Sequence, residues 1–495
     1  MKRHRSTHET SAAKHDGGKC SGAMMMKECD RHNSTPRAVL GTRQSGDACV
    51  DSNRNLGVST SVCYRMAPDK SMLDGAANCV DQTVCASRFS AVDNDSNRMP
   101  PCLLSEQQHS LVDIGGVHRI ALMITPQNQG AAIDQAWEAI STIRVILGQQ
   151  SVPMKMVQQT VFVRSAEDIP AFRGLFEAYF GDSTPASNYI VQPPCGGQAL
   201  AIEAWAIGGD QVEISYLERD VVSVDYASMK WVYLAGISPS VNAASAYEQS
   251  ESCLAQLDQR LNRVGATLSD VPRVWLYQGG ITEEESGIER YRELNRARTD
   301  YFDSLSARGA MRMSQQGIVY PASTGIGTNG SSLVLSAMVL QTHRDDVRWV
   351  ALENPGQTSA FDYEKKFSIK SPKFSRAMAV ITDEYATIWI SGTASILDSE
   401  TVHIGDIEKQ THQTIDNMER LIAEENLAAH GFKGCGATLQ DLAKVRVYIK
   451  HVEDYEKCRA ICEARFGSLP TIYANADVCR PDLLVEIEGV AFTTV

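Results

Sequence analysis

Apolar positions near the C-terminus follow two different spacings, one typical of helices and one typical of strands. Segments 407–422 and 455–466 place apolar residues at helical spacing, about every third or fourth position. Segments 444–450 and 483–492 alternate apolar and polar residues with a period of two, which is typical of strands. Together with an early apolar strand at 387–391, the pattern predicts the order strand, helix, strand, helix, strand.

Internal similarity indicates that this unit occurs three times. Gly265–Tyr277 aligns without gaps on Gly436–Tyr448, and Val161–Gly181 matches Val447–Gly467 down to a shared Phe-Gly end. The three predicted units span 106–210, 211–345 and 346–495.

Each predicted unit has the composition of an α+β layer, with a mixed sheet on one side and helices on the other. Three such layers in one chain can close around a pseudo-threefold axis with their sheets facing inward. The predicted fold is therefore an intrachain pseudotrimer of the α+β class. We expect a monomer, because the three units can cover each other's sheet faces.

Residues 1–105 have a different composition, rich in Ser, Asn, Asp, Arg and Met, with Tyr64 and Phe89 as the only aromatic residues. Few groups there could offset the entropy of ordering a hundred residues, so a disordered tail is predicted. Seven of the 13 cysteines lie in this segment. Their irregular spacing, without a CxxC pair, argues against a zinc site.

The charge balance excludes several partners. The chain has 47 Lys+Arg and 60 Asp+Glu, a net charge of −13, so we expect neither nucleic-acid nor anionic-membrane binding. It has no apolar run of about 18 residues and no apolar segment after its basic first residues. We therefore predict a cytoplasmic protein.

One glycine-rich segment, Gly325–Gly330, formally matches the dinucleotide motif GxGxxG. That motif must open a helix so that phosphate meets the helix N-terminus. The following Ser331–Leu340 has instead the composition of a strand. We interpret the glycines as a turn beside a pocket, which Ser323 and Thr324 would line.

Several ordered motifs point to a known family. The order of elements and the closing Leu469-Pro470 and Val485–Ala491 resemble the YjgF/RidA fold. Most of 211–495 more specifically resembles the chorismatases, and 110–210 does so more weakly. The matching stretches are Glu293–Arg298, Tyr320–Gly327, Asn354–Gln357, Ser371–Ala377, Ile390–Ile396, Glu400–His403 and Ala476–Arg480.

The resemblance implies cleavage of the enol-pyruvyl ether of chorismate, with Glu400 as the acid that protonates its methylene carbon. Such an acid must hold its proton near neutral pH, far above the ordinary pKa of glutamate. Chorismate is a dianion, and arginine suits carboxylates. No metal or other cofactor is implied. The candidate substrate-binding residues are Arg376, Arg480, Arg298, Ser323, Thr324, Thr393, Ala394 and Cys479.

The ring product and two other functions stay open. The product is a dihydroxycyclohexadiene carboxylate or a hydroxybenzoate; Ala322 and Ala394 occupy places where subtypes differ, and Ala394 favours plain hydrolysis. A RidA-type imine or enamine deaminase would need an arginine where Ile472 stands in Pro470-Thr-Ile. A non-catalytic pseudotrimer that binds a small acid is the third possibility.

Overall fold

The computed structural model describes residues 108–315, 317–364 and 370–495. The predicted tail and its seven cysteines lie outside these residues. Within the described residues, the predicted mixed α+β fold is confirmed: strands form three sheets of five or six members, and helices pack on each sheet. No helix in these ranges is long and apolar enough to cross a membrane.

The first sheet has the strand order β1-β2-β5-β3-β4, in which β3 and β4 are parallel. Two helices, α1 (Ala132–Gly148) and α2 (Ile169–Phe180), pack on one of its faces. Its strands are β1 (His109–Ile114), β2 (Val117–Ile124), β3 (Lys155–Val163), β4 (Ala186–Ile190) and β5 (Leu200–Gly208).

The second sheet has the order β14-β9-β15-β8-β7-β6 and carries α3 (Ala246–Arg263) and α4 (Arg290–Ala307). Two-residue strands form two small hairpins, β10–β11 and β12–β13. The strands are β6 (Glu213–Glu218), β7 (Val221–Tyr226), β8 (Met229–Ile237), β9 (Arg273–Gly279), β10 (Glu284–Glu285), β11 (Ile288–Glu289), β12 (Met313–Ser314), β13 (Gly317–Ile318), β14 (Ala322–Thr328) and β15 (Leu333–Thr342).

The third sheet has the order β16-β17-β18-β23-β21-β22, with β19 and β20 as a separate short hairpin. Its strands are β16 (Arg348–Leu352), β17 (Ala377–Ile381), β18 (Tyr385–Ala394), β19 (Ile396–Leu397), β20 (Glu400–Thr401), β21 (Leu442–Ile449), β22 (Thr471–Asn475) and β23 (Val485–Thr494). Its helices are α5 (Ile407–Ile422), α6 (Glu424–Ala429) and α7 (Tyr455–Phe466). The helices and strands predicted from spacing in this part of the chain are confirmed to within three residues.

The aligned segments 161–181 and 447–467 end in the same way. Helices α2 and α7 stop at Gly181 and Gly467, whose φ angles of 55° and 68° are left-handed. The N–H of each glycine donates to a carbonyl of the preceding turn. Because a side chain would strain this conformation, the shared Phe-Gly end is a helix stop signal.

The strands separate two kinds of core. On β23, Val485 and Ile487 face the helices, whereas Val490 faces the other sheets. The inner faces of all three sheets share one hydrophobic cluster, to which the sheets contribute Trp205, Trp275 and Trp389 in turn. The third sheet is therefore buried on both sides around β23.

A buried group of five charged residues, here called the central ionic cluster, joins the sheets through this inner core. Glu203 of the first sheet pairs with Lys444 and Arg446 of the third. Glu488 of the third sheet pairs with Arg273 of the second and, at 2.8 Å, with Arg446. None of these side chains is more than 8% exposed, so each charge depends on its partners for stabilisation.

Removing one member of this cluster should therefore destabilise the whole chain. Glu203→Ala leaves Lys444 and Arg446 short of a counter-charge, and we expect it to lower the free energy of unfolding by about 3–5 kcal/mol. Urea denaturation measures the loss. The control Glu456→Ala breaks an exposed pair with Arg459 and should cost less than about 1 kcal/mol. Equal losses for both variants would contradict a structural role for the cluster.

Candidate active site

A cleft of about 280 Å³ lies between the second and third sheets. The second sheet contributes one face of α4 and the start of β14 to its wall. The third contributes the end of β18, the β19–β20 hairpin, the 479–483 turn and the start of β23. Seven of the nine sequence-predicted site residues line this cleft: Arg298, Ser323, Arg376, Ala394, Glu400, Cys479 and Arg480.

Arg376 and Arg480 of the third unit both lie over the ring of Tyr363. Arg376, just before β17, is 4% exposed and donates from Nη2 to Thr358 O at 3.0 Å and to the Tyr363 hydroxyl at 2.5 Å. The guanidinium carbons of Arg376 and Arg480 lie 5.6 and 5.1 Å from the Tyr363 ring centre. The buried Nε of Arg376 has no hydrogen-bond partner among the described residues, so a donor remains for a ligand.

The third arginine enters from α4. Tyr291, Asn295 and Arg298 follow one another at helical spacing and all line the cleft. Arg298 Nη2 donates to Asn295 Oδ1 at 2.6 Å, and Nη1 lies 3.5 Å from Ser323 Oγ. Sequence reasoning missed Tyr291 and Asn295, although their spacing from Arg298 is a signal that could have found them.

A buried carboxyl group, that of Glu486 on β23, also lines the cleft. Its side chain faces inward beside Ala394 of β18 and is only 4% exposed. Burial, and secondarily the charge of Glu488, raises the pKa of Glu486 to about 8, against the opposing effect of Arg273 and Arg376. Glu486 is therefore mostly protonated at neutral pH.

The carboxyl of Glu486 occupies space that only a glycine leaves open. A Cβ on Gly392 of β18 would collide with Glu486 Oε1 and would lie 3.2 Å from Thr324 Cγ2. The stretch Ile390–Ile396, which sequence analysis singled out, thus contributes room for an acid rather than a reactive side chain.

Glu400, the acid expected from the family resemblance, also lines the cleft. It lies on β20 at the rim of the cleft, and its side chain is exposed. Of these two carboxyl groups in the cleft lining, that of Glu486 is the buried one. In the sequence, Glu486 is one of the polar positions of the alternating segment 483–492.

Two further predicted residues lie outside the cleft lining. Thr324 is fully buried, and its hydroxyl points to the central ionic cluster. Thr393 is 1% exposed and donates to Ser391 O at 3.0 Å. Cys479 does line the cleft, but burial and the charge of Glu486 raise its pKa to about 12, so its thiol stays protonated.

Family models match both units that form the cleft. The model "Chorismatase FkbO/Hyg5-like, N-terminal" matches residues 216–339, and "Endoribonuclease L-PSP" matches 369–493. The described residues also resemble a chorismatase crystal structure, with a TM-score of 0.54 and 21% identity over 75% of this chain and 98% of that one. This likeness defines the class of fold.

Curated relatives define the family more narrowly. The chain is 31% identical to a 3-hydroxybenzoate synthase of Streptomyces hygroscopicus over 58% of its own length and 80% of the relative's. It is also 31% identical to a chorismatase of the same organism, over 56% and 78% of the two lengths. The chain belongs to the chorismatase family.

Proposed function

We propose that this protein is a chorismatase, which releases pyruvate from chorismate by cleaving its enol-pyruvyl ether. The observation that carries the proposal is a buried carboxyl with a pKa of about 8, facing a cleft that contains three arginines. The two curated relatives, named for chorismate cleavage and for 3-hydroxybenzoate synthesis, support the same reaction class.

Binding of the dianionic substrate is assigned to the arginines. Arg298, Arg376 and Arg480 approach the cleft from two units, so that the two carboxylates can pair at separate places. The Phe374 ring lies 5.5 Å from the guanidinium carbon of Arg298 and 5.6 Å from that of Arg376. It offers an apolar surface between the cations for the carbon ring of the substrate.

Glu486 is the proton donor in this mechanism. Its carboxylic acid gives its proton to the terminal methylene carbon of the enol ether and becomes a carboxylate, while the ether carbon becomes an oxocarbenium ion. Water attacks that carbon, and the resulting hemiketal breaks its bond to the ring oxygen to give pyruvate and a ring diol. The proton lost by the water restores the acid.

The alternative course uses the neighbouring ring hydroxyl instead of water and ends in a hydroxybenzoate without net addition of water. Product analysis by mass spectrometry and NMR distinguishes the two courses. The deaminase alternative gains no support, because Ile472 is buried in β22 where the required arginine would stand.

Replacing the proposed proton donor should slow the reaction strongly without preventing chorismate from binding. Glu486→Gln keeps the shape but loses the acidic proton, so kcat for pyruvate release should fall roughly 10²–10⁴-fold. The Kd for chorismate should stay within about tenfold. In the natural protein kcat should fall as the pH rises through about 8, since the acid form is the active one.

The matched variant Glu400→Gln separates the two candidate acids. If Glu486 is the donor, Glu400→Gln should lower kcat far less than Glu486→Gln does. A larger loss in Glu400→Gln, or a fully active Glu486→Gln, would return the role to Glu400 or remove it from both.

Arg376 should contribute to affinity through the shape of its guanidinium as well as its charge. Arg376→Lys keeps the charge but loses the planar set of donors, so KM for chorismate should rise roughly 10- to 100-fold. Steady-state kinetics measures this, with Arg459→Lys on the exposed face of α7 as control. An unchanged KM in Arg376→Lys would contradict the assignment.

We further propose that 106–210, 211–345 and 346–495 are three RidA-like units that form an intrachain pseudotrimer, and that the protein is a monomer. Supporting this, each unit supplies one sheet, and the sheets share their inner core. Light scattering should give a mass near the 54.2 kDa of one chain. A mass near two or three chains would contradict the monomer.

A further inference from the structure

The hydroxyl of Thr324 connects three parts of the molecule. Its oxygen accepts a hydrogen bond from Arg273 Nη2 at 2.5 Å and donates to Glu488 Oε2, both in the central ionic cluster. It also accepts from the backbone N–H of Gly392 in the third sheet, at 2.9 Å. One donor and two acceptor sites are thus all used, and the side chain is fully buried.

The N–H of Gly392 lies at an irregular point of β18. The pairing of β18 with β23 shifts register between Ile390 and Thr393, so the chain bulges there. Thr324, from the neighbouring sheet, supplies the acceptor that this partly buried N–H needs.

The bulge also contacts Glu486, the proposed proton donor. Gly392 packs against both the Thr324 side chain and the Glu486 carboxyl, since a Cβ on it would meet both. A shift of the bulge would therefore move the wall against which Glu486 rests.

We propose that Thr324 is a positioning residue: its hydroxyl ties the bulge of β18 to the central ionic cluster and thereby fixes the carboxyl of Glu486 in the cleft. The inference rests on the proposed role of Glu486 as proton donor. Thr324 itself does not line the cleft. Its loss should affect the chemical step more than substrate binding, because the arginines of the cleft keep their own supports.

The experiment compares Thr324→Val, which is nearly isosteric but has no hydroxyl, with Thr324→Ser, which keeps it. For Thr324→Val we expect kcat for pyruvate release from chorismate to fall at least tenfold, with KM within about threefold, because small misplacements of a catalytic group are costly. Thr324→Ser should keep kcat within about threefold. If Thr324→Val does not fold, Thr324→Ala tests the same loss without a clash.

A matched control is Thr414→Val. Thr414 is equally buried, but its hydroxyl donates only to Gln410 O within α5, at 2.7 Å, so kcat should be unchanged. Full activity in Thr324→Val, or equal losses in Thr324→Ser and Thr324→Val, would overturn the inference. If Glu486→Gln is inactive while Thr324→Val is fully active, only the positioning role fails; a fully active Glu486→Gln would instead remove the proposed donor.

Discussion

The pairing of buried charges across three sheets is the constraint on which the rest of this structure depends. Charges in a low-dielectric core are tolerated only where counter-charges and hydrogen-bond donors surround them. Glu203 and Glu488 meet their cations from different sheets, so the sheets can pack in few relative positions. The cleft lies at one of these sheet boundaries, and its geometry follows from that packing.

The same cluster separates the protonation states of two carboxyls on one strand. Burial would raise the pKa of Glu488, but Arg446 and Arg273, together with hydrogen bonds from Thr324 and Tyr448, hold it below its ordinary value. Glu486, two positions earlier on the same face, has the burial without those donors, and its pKa is raised. The partners of Glu488 thus favour its charged form, whereas burial favours the protonated form of Glu486.

Local sequence signals predicted the elements well, because helical and strand spacing, repeat matches and Phe-Gly stops are properties of neighbouring residues. The arginines of the cleft were also identified, on motifs that resemble a family. Glu486 was not among the predicted site residues, because the alternation in Val485–Glu488 is the usual pattern of a strand with one solvent-exposed face. Glu486 is buried only where the second unit packs against that face, and no local sequence pattern shows such packing. Thr324 was predicted to line the cleft because its burial, too, depends on packing between sheets that no local pattern shows.

The strand registers explain why one of three similar units has a carboxyl at the position of Glu486. Phe162, Tyr277 and Tyr448 take corresponding places in the three units, and they pair with Ala201, Val334 and Glu486 respectively. Only the third unit therefore has a carboxyl at this position. That carboxyl faces the boundary to which the second unit brings Arg298 and Ser323. Neither unit alone contains a complete site, so the cleft requires both units in one packed chain, and the central ionic cluster is what holds them in that arrangement.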